Sequence, residues 1–351
     1  MTVYFKNYPK CSFFFVISSF FVACNHADDV DVSEIDLNLK IERFDKDLAT
    51  IKPGEVKQKL PQLREKYGVF YRDYFEKVLN VGSTETPSYQ ETVSEILAGK
   101  PYRDLQNATN SVFPDMEKWK PTIEDAFKHI KYYYPEQKIP RLITYISGFQ
   151  LQTSIGKDYI GVGLDMFLGN NSPFYPALVE SVPMYISRRF TPANLTPRIV
   201  EIFTREELFP EPESATSLLA KMIHEGKVMY FMKKIQPSVA DSILIGYTSA
   251  QMTWARNYES DVWAYFLEQN LLYETDYLKI QKYLSEAPFT PGLGSNNDSA
   301  PKLAIFTGWQ IVNQYMENEK DVTLQELMSE QNEQKILRQS KYRPILKDDN
   351  E

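Results

Sequence analysis

The stretch "LLAKMIHEGKVMYFMKKI", residues 218–235, constrains the fold more than any other part of the chain. At 100° per residue, Leu218, Leu219, Met222, Ile223, Gly226, Met229 and Tyr230 form one apolar stripe. Ala220, Val228, Phe231 and Ile235 form a second, and His224 lies within it. A helix apolar on two faces has to run through the body of a domain with packed elements on both sides. The expected helix covers residues 214–236. Gly226 costs such a helix about 1 kcal/mol relative to alanine, which signals close approach of another backbone. Lys227 falls between the two stripes.

The same stretch holds His224-Glu225, the first half of H-E-x-x-H, in which two histidines one turn apart bind zinc and the glutamate activates water. The second histidine would fall at position 228, which is Val228. Catalytic zinc takes three protein ligands and leaves one position open. The other histidines, His26 and His129, have no helical spacing to His224, so His224 with a downstream Glu259 makes two ligands where three are needed. His224, Glu225 and Glu259 are therefore candidate relic metal or acid/base positions on a core helix. No catalytic residue and no bound metal are expected.

Other chemistry is less well supported. The chain has no G-x-S-x-G elbow. "GVGLDMFLG" lacks the third glycine and following helix of a dinucleotide site. Glu206-Glu207 and Asp28-Asp29 read as solvated carboxylates. The 23 tyrosines and 4 tryptophans could line a glycan groove, but in a helical protein such rings more often pack cores.

At the N-terminus, Lys6 and Lys10 precede an uncharged run from Ser12 to Ala23 and then Cys24. A basic region, a short apolar region and a small residue before the break describe a secretory signal. The run is shorter than the roughly 20 apolar residues of a spanning helix. "FVAC" resembles a loose lipobox, with Cys24 diacylated as the mature N-terminus and no cofactor expected beyond that covalent lipid. Cleavage after Ala23 removes Cys11, Lys6 and Lys10, leaving one cysteine and shifting the formal charge from −8 to −10. An exported chain with one lipidated cysteine has no disulfide framework, so its fold rests on its core. The acidic balance argues against nucleic acid, which wants a basic face. The lipid provides the membrane contact.

No linker or repeat divides the chain. The expected organisation is a signal at 1–23, a lipidated cysteine and acidic tether at 24–34, one domain at 35–335 and a charged, fraying tail at 336–351. Leu37, Leu39 and Ile41 alternate with polar residues, and "IPRLITYISGF" and "YIGVGLDMFLG" are β-branched or aromatic runs; all three read as strands. Helices are expected over 53–80, 114–134, 176–189, 196–208, 214–236, 248–270, 275–285 and 301–317. Thr248 with Gln251 makes a capping box for the helix holding Glu259. A small sheet followed by helices is a mostly helical α+β layout.

"YISGFQLQTSIGKDYIGVGLDMFLGNNSPFY", "MIHEGKVMYFM", "IGYTSAQMTWARNYESDVWAYFLEQNLLYETD", "APFTP" and "GWQIVNQYM", in this order after a lipobox, resemble the gliding-motility lipoprotein GldB family of Bacteroidetes over residues 35 to 330. The resemblance implies a lipid-anchored envelope protein needed for gliding, at the outer rather than the inner membrane. It would act beside other gliding lipoproteins and the type IX secretion apparatus, without enzymatic activity. It also implies a distant likeness to zincin-type metallopeptidases, which would explain a buried helix carrying Gly226-Lys227 and a later Glu259-Ser260. The family usually reads Tyr-Tyr-Gly-Lys at His224-Glu225-Gly226-Lys227, Asn-Glu at Tyr258-Glu259, and "SPGR" at Ser299 to Lys302. These departures leave a zincin-like body without a complete metal site. A zinc peptidase and a glycan-binding lipoprotein are the alternatives.

Overall fold

Two runs of the chain, Arg141–Tyr145 (β2) and Tyr159–Gly163 (β4), are buried except at Arg141 and pair in parallel, with Ile143 opposite Gly161. Both faces of these strands are buried because each successive side chain meets a different layer of core. In this computed structural model, which describes residues 30–294 and 296–344, they form the centre of a four-stranded sheet of order β1-β2-β4-β3. β1 (Ile41–Arg43) is parallel to β2, and β3 (Thr153–Ile155) is antiparallel to β4. Leu142, Ile160 and Val162 face one hydrophobic core, while Ile143, Tyr145 and Tyr159 face the other. Gly161 gives the aromatic side its room: a Cβ there would lie 2.7 Å from the Tyr145 ring.

That second core is built mainly from residues 44–97 and is rich in rings. Phe44 sits at its centre, with centroids of Tyr67, Phe70, Tyr74 and Phe75 at 4.9, 5.1, 4.7 and 6.2 Å, all edge to face. The expected helix over 53–80 is broken at Gly68, whose φ of +57° leaves the helical region. Val56–Tyr67 and Val69–Asp73 result, and the turn Tyr74–Val78 that follows is π-helical.

The first core belongs to the helical body. The central helix runs Leu218–Ile235, begun by the Ser217 hydroxyl accepting from the Ala220 N–H at 3.2 Å. It ends at Gln236, just before Pro237. No residue along it is exposed; Ala220, Lys221, Glu225, Tyr230, Lys233 and Lys234 are half-buried and the rest are buried. A second long helix, Leu303–Asn318, crosses it. Lys120–Tyr133 and Leu195–Phe203 pack on its other sides. The architecture is mostly helical α+β with a small mixed sheet.

Several expected elements differ. The strand expected at Leu37–Ile41 begins only at Ile41; Leu39 is buried, and its N–H is donated to the Glu124 carboxylate at 2.8 Å rather than to a strand. Residues 176–189 form a 3₁₀ turn (Tyr175–Leu178) and a short helix (Met184–Ser187), because Pro183 takes an extended conformation between them. The helix at 248–270 splits at Tyr258 into Ser249–Asn257 and Glu259–Glu268. The 275–285 helix shortens to Tyr277–Ile280 and a 3₁₀ turn. The tail expected from 336 starts inside the helix Glu333–Ser340, whose Ile336 is fully buried, and Tyr342 beyond it is buried too. Apolar anchors at that spacing outweigh the charge of the segment.

Candidate functional site

The residues of the His-Glu stretch meet four different surroundings. His224 is 8% exposed, and burial pushes its pKa below the ordinary imidazole value, against the pull of Glu225. The ring is therefore neutral at neutral pH.

Glu225 is held on both oxygens. The Arg205 guanidinium donates to Oε1 at 2.8 Å and to Oε2 at 2.7 Å, a fork-on-fork geometry stronger than a single ion pair. Arg205 also donates Nε to Glu201 at 3.1 Å, and Glu201 pairs with Arg198. Burial works against the Glu201 charge, but Arg198 and Arg205 outweigh it and hold the carboxyl at about 2. Arg205 is aimed by a π-helical turn, Thr204–Leu208, that follows Leu195–Phe203; such turns rotate side chains off the regular helical face. The result is an alternating chain of charges, Glu225–Arg205–Glu201–Arg198.

Gly226 marks the helix crossing. A Cβ there would lie 2.2 Å from the Gly308 carbonyl oxygen, and one on Gly308 would lie 1.9 Å from the Met222 carbonyl oxygen. The two helices touch backbone to backbone. Lys227 is 8% exposed and donates Nζ to the carbonyls of Met328 at 3.2 Å and Glu330 at 2.7 Å. It caps the C-terminal end of the helix Leu324–Ser329, where the last carbonyls lack intrahelical donors.

Glu259 opens its helix and accepts from the Tyr342 hydroxyl at 2.8 Å, while the Tyr342 ring meets Trp263 edge-on at 5.3 Å. Among the described residues, no group of three or more His, Cys, Asp or Glu side chains stands where it could hold a metal ion. His129 is a buried residue, with Nδ1 at 2.9 Å from the Asp125 carbonyl. Cys24 and the segment 1–23 lie outside the described residues. No described helix is long and apolar enough to cross a membrane.

Sequence reasoning missed a second polar knot. Lys302, 7% exposed at the start of the crossing helix with φ +52°, donates to the Ile245 carbonyl and to Glu286, each at 2.5 Å. Arg189 pairs with the same carboxylate, and Arg188 donates to the Gly246 carbonyl at 2.9 Å and to Gln251 at 3.1 Å. Burial lowers the Lys302 pKa to about 8 despite Glu286. Gly246, at φ +80°, leaves room for Arg189, since a Cβ would lie 2.4 Å from its guanidinium carbon. The doubled arginine is visible in the sequence, but it stands 57 residues before Gly246, a separation that local spacing cannot bridge. Arg205 gave no cue, because a π turn rather than helical spacing brings it to Glu225.

This geometry, with its central helix, glycine crossing and two charge knots, lies within residues 25–344, the span matched by the profile of the family described as gliding motility protein GldB. The chain belongs to the GldB gliding-motility family. Comparison with curated proteins and with solved structures gave no match. The GldB match takes in every charge of both knots.

Proposed function

We propose that this chain works without catalysis, as a lipid-anchored component of the envelope gliding machinery. The observation that carries the reading is the Arg205 fork: both Glu225 oxygens already accept guanidinium hydrogens, so the only carboxylate beside His224 on the helix serves the frame. A general base needs an oxygen directed at the proton it takes. We read the body as zincin-like, a peptidase-type frame in which the His-Glu pair has become structural. The anchor is the lipid on Cys24, at the outer rather than the inner membrane. The protein would act beside other gliding lipoproteins and the type IX secretion apparatus. The rings do not favour a glycan groove: Tyr67, Tyr71, Tyr74, Tyr145 and Tyr283 are fully buried. The acidic balance makes nucleic acid a poor partner.

The discriminating variant is Glu225→Gln. It keeps the shape but removes the ion pair, so its melting temperature is expected to fall by roughly 2–5 °C, with colony spreading retained. A protein that stays folded yet no longer supports spreading would overturn the non-catalytic reading and favour the peptidase. For the anchor, Cys24→Ala is expected to abolish incorporation of a fatty-acid analogue, since two or more acyl chains give stable anchoring where one is marginal. Label persisting in the alanine variant would refute the lipid site.

A further inference from the structure

Three helix ends converge on an open cleft of about 550 Å³: the starts of Lys120–Tyr133 and Leu195–Phe203, and the end of the central helix. Its lining is mainly apolar and includes Trp119, Pro121, Pro192, Pro197, Ile235 and Val239. Gln236 also lines it, and its surroundings are unusual. The residue is 3% exposed, and neither its side-chain oxygen nor its nitrogen has a hydrogen-bond partner among the described residues. Its backbone is satisfied, with N–H donated to Met232 and carbonyl accepting from Val239, each around 3 Å. The unmet capacity is thus confined to the carboxamide. Buried polar groups are nearly always paired, and an apolar residue of the same size would fill this position at less cost. The amide leaves bonding capacity for a group that reaches it.

We propose that this cleft binds a short extended segment of a partner polypeptide, with Gln236 pairing to its backbone. A carboxamide offers one acceptor and one donor side by side. A residue in an extended chain turns its own N–H and C=O to the same side, the arrangement that lets antiparallel strands exchange two bonds. The proline walls carry no N–H, so they cannot compete for that backbone. Charge sets the flanks. Lys118, in the turn before the helix Lys120–Tyr133, and Asp125, within that helix, line the cleft and are exposed. The matching segment is apolar between an acidic and a basic residue. A sugar fits less well: Trp119 is the only aromatic ring among the lining residues, and Phe113 at 4.6 Å and Lys118 at 5.4 Å already engage it. The cleft is separate from His224 and Glu225, so the inference does not depend on whether those residues have chemistry.

The test selects random heptapeptides displayed on phage against the full chain and, in parallel, against Gln236→Leu. The expected result is enrichment of an apolar run flanked by opposite charges on the wild type alone. A synthetic copy of the winner should bind Gln236→Leu at least tenfold more weakly, and lose binding when its central amide is N-methylated. Ala193→Trp, which fills the cleft from an exposed lining position, should block the peptide without changing the melting temperature. Gln236→Leu should melt at or above the wild type. A fall of several degrees would show that the amide already has an internal partner, and would overturn the proposal. So would equal enrichment on both proteins, or Gln236-dependent binding of an N-acetylated oligosaccharide in place of peptide.

Discussion

On one face of the sheet, Phe44 meets four rings edge-on and its neighbours meet one another in turn; on the other, the central helix touches Gly308 with no side chain between them and is tied at Glu225 and Lys227 by charge. The aromatic face is held by volume: many contacts, each modest, that another large apolar side chain can partly replace. The helical body is held by position, at points where a single methyl or a single proton changes the contact. The difference teaches that tolerance to substitution here follows the kind of contact as well as the depth of burial.

The largest effect is expected on the aromatic face. Phe44→Ala should cost about 4 kcal/mol by leaving a cavity among the rings, whereas Phe44→Leu should cost about a third of that. Chemical denaturation of both variants measures this, and equal losses would mean that ring geometry, not volume, holds the lobe. Next comes the crossing. Gly226→Leu should cost about 3 kcal/mol, and even Gly226→Ala a sizeable part of it, because the added carbon meets backbone that cannot rotate away. A neutral Gly226→Ala would remove the distinction between the two regions.

Smaller again is the acid response of the Glu201 knot. Its folded pKa, about 2, lies below the ordinary 4.5, so its contribution is fully present above pH 4.5 and is lost as pH falls through 4.5 toward 2. Urea unfolding across that window should show a loss on the order of 2 kcal/mol in the wild type and a flatter profile in Glu201→Gln. Identical profiles would show that Arg198 and Arg205 do not hold the proton off. The smallest change is expected for His224→Tyr, below about 1 kcal/mol, with spreading retained. Because burial lowers the His224 pKa, the wild type gains stability as pH rises through that lowered value toward 6.5, and the tyrosine variant should lack this step. Failure to glide in a folded tyrosine variant would mean that the imidazole does more than pack.

Periodicity made much of the fold legible. The two-sided pattern at 214–236 corresponds to Leu218–Ile235, 301–317 to Leu303–Asn318, and the Thr248–Gln251 capping box forms as read. Strands β2 and β4 were equally visible, because β-branched runs bounded by proline and glycine have few other uses. What failed were boundaries set by single residues: Gly68, Pro183 and Tyr258 each break a run whose apolar spacing continues across them. β3 is only three residues long and half-buried, too short to show a period. In the candidate site, His224, Glu225 and Lys227 were findable from one stretch, but their partners Arg205, Met328 and Glu330 were not. Those contacts join segments that local spacing cannot relate.

The glycine crossing also bears on the order in which the chain folds. Gly226 and Gly308 are about 80 residues apart, whereas the aromatic lobe is drawn largely from residues 44–97. Closing the longer loop costs entropy before any contact rewards it, so the lobe can collapse first and the helices dock afterwards. A methyl placed in the crossing, as in Gly308→Ala, should then accelerate unfolding far more than it slows refolding. The lobe would become the seed of the molecule and the crossing its latch.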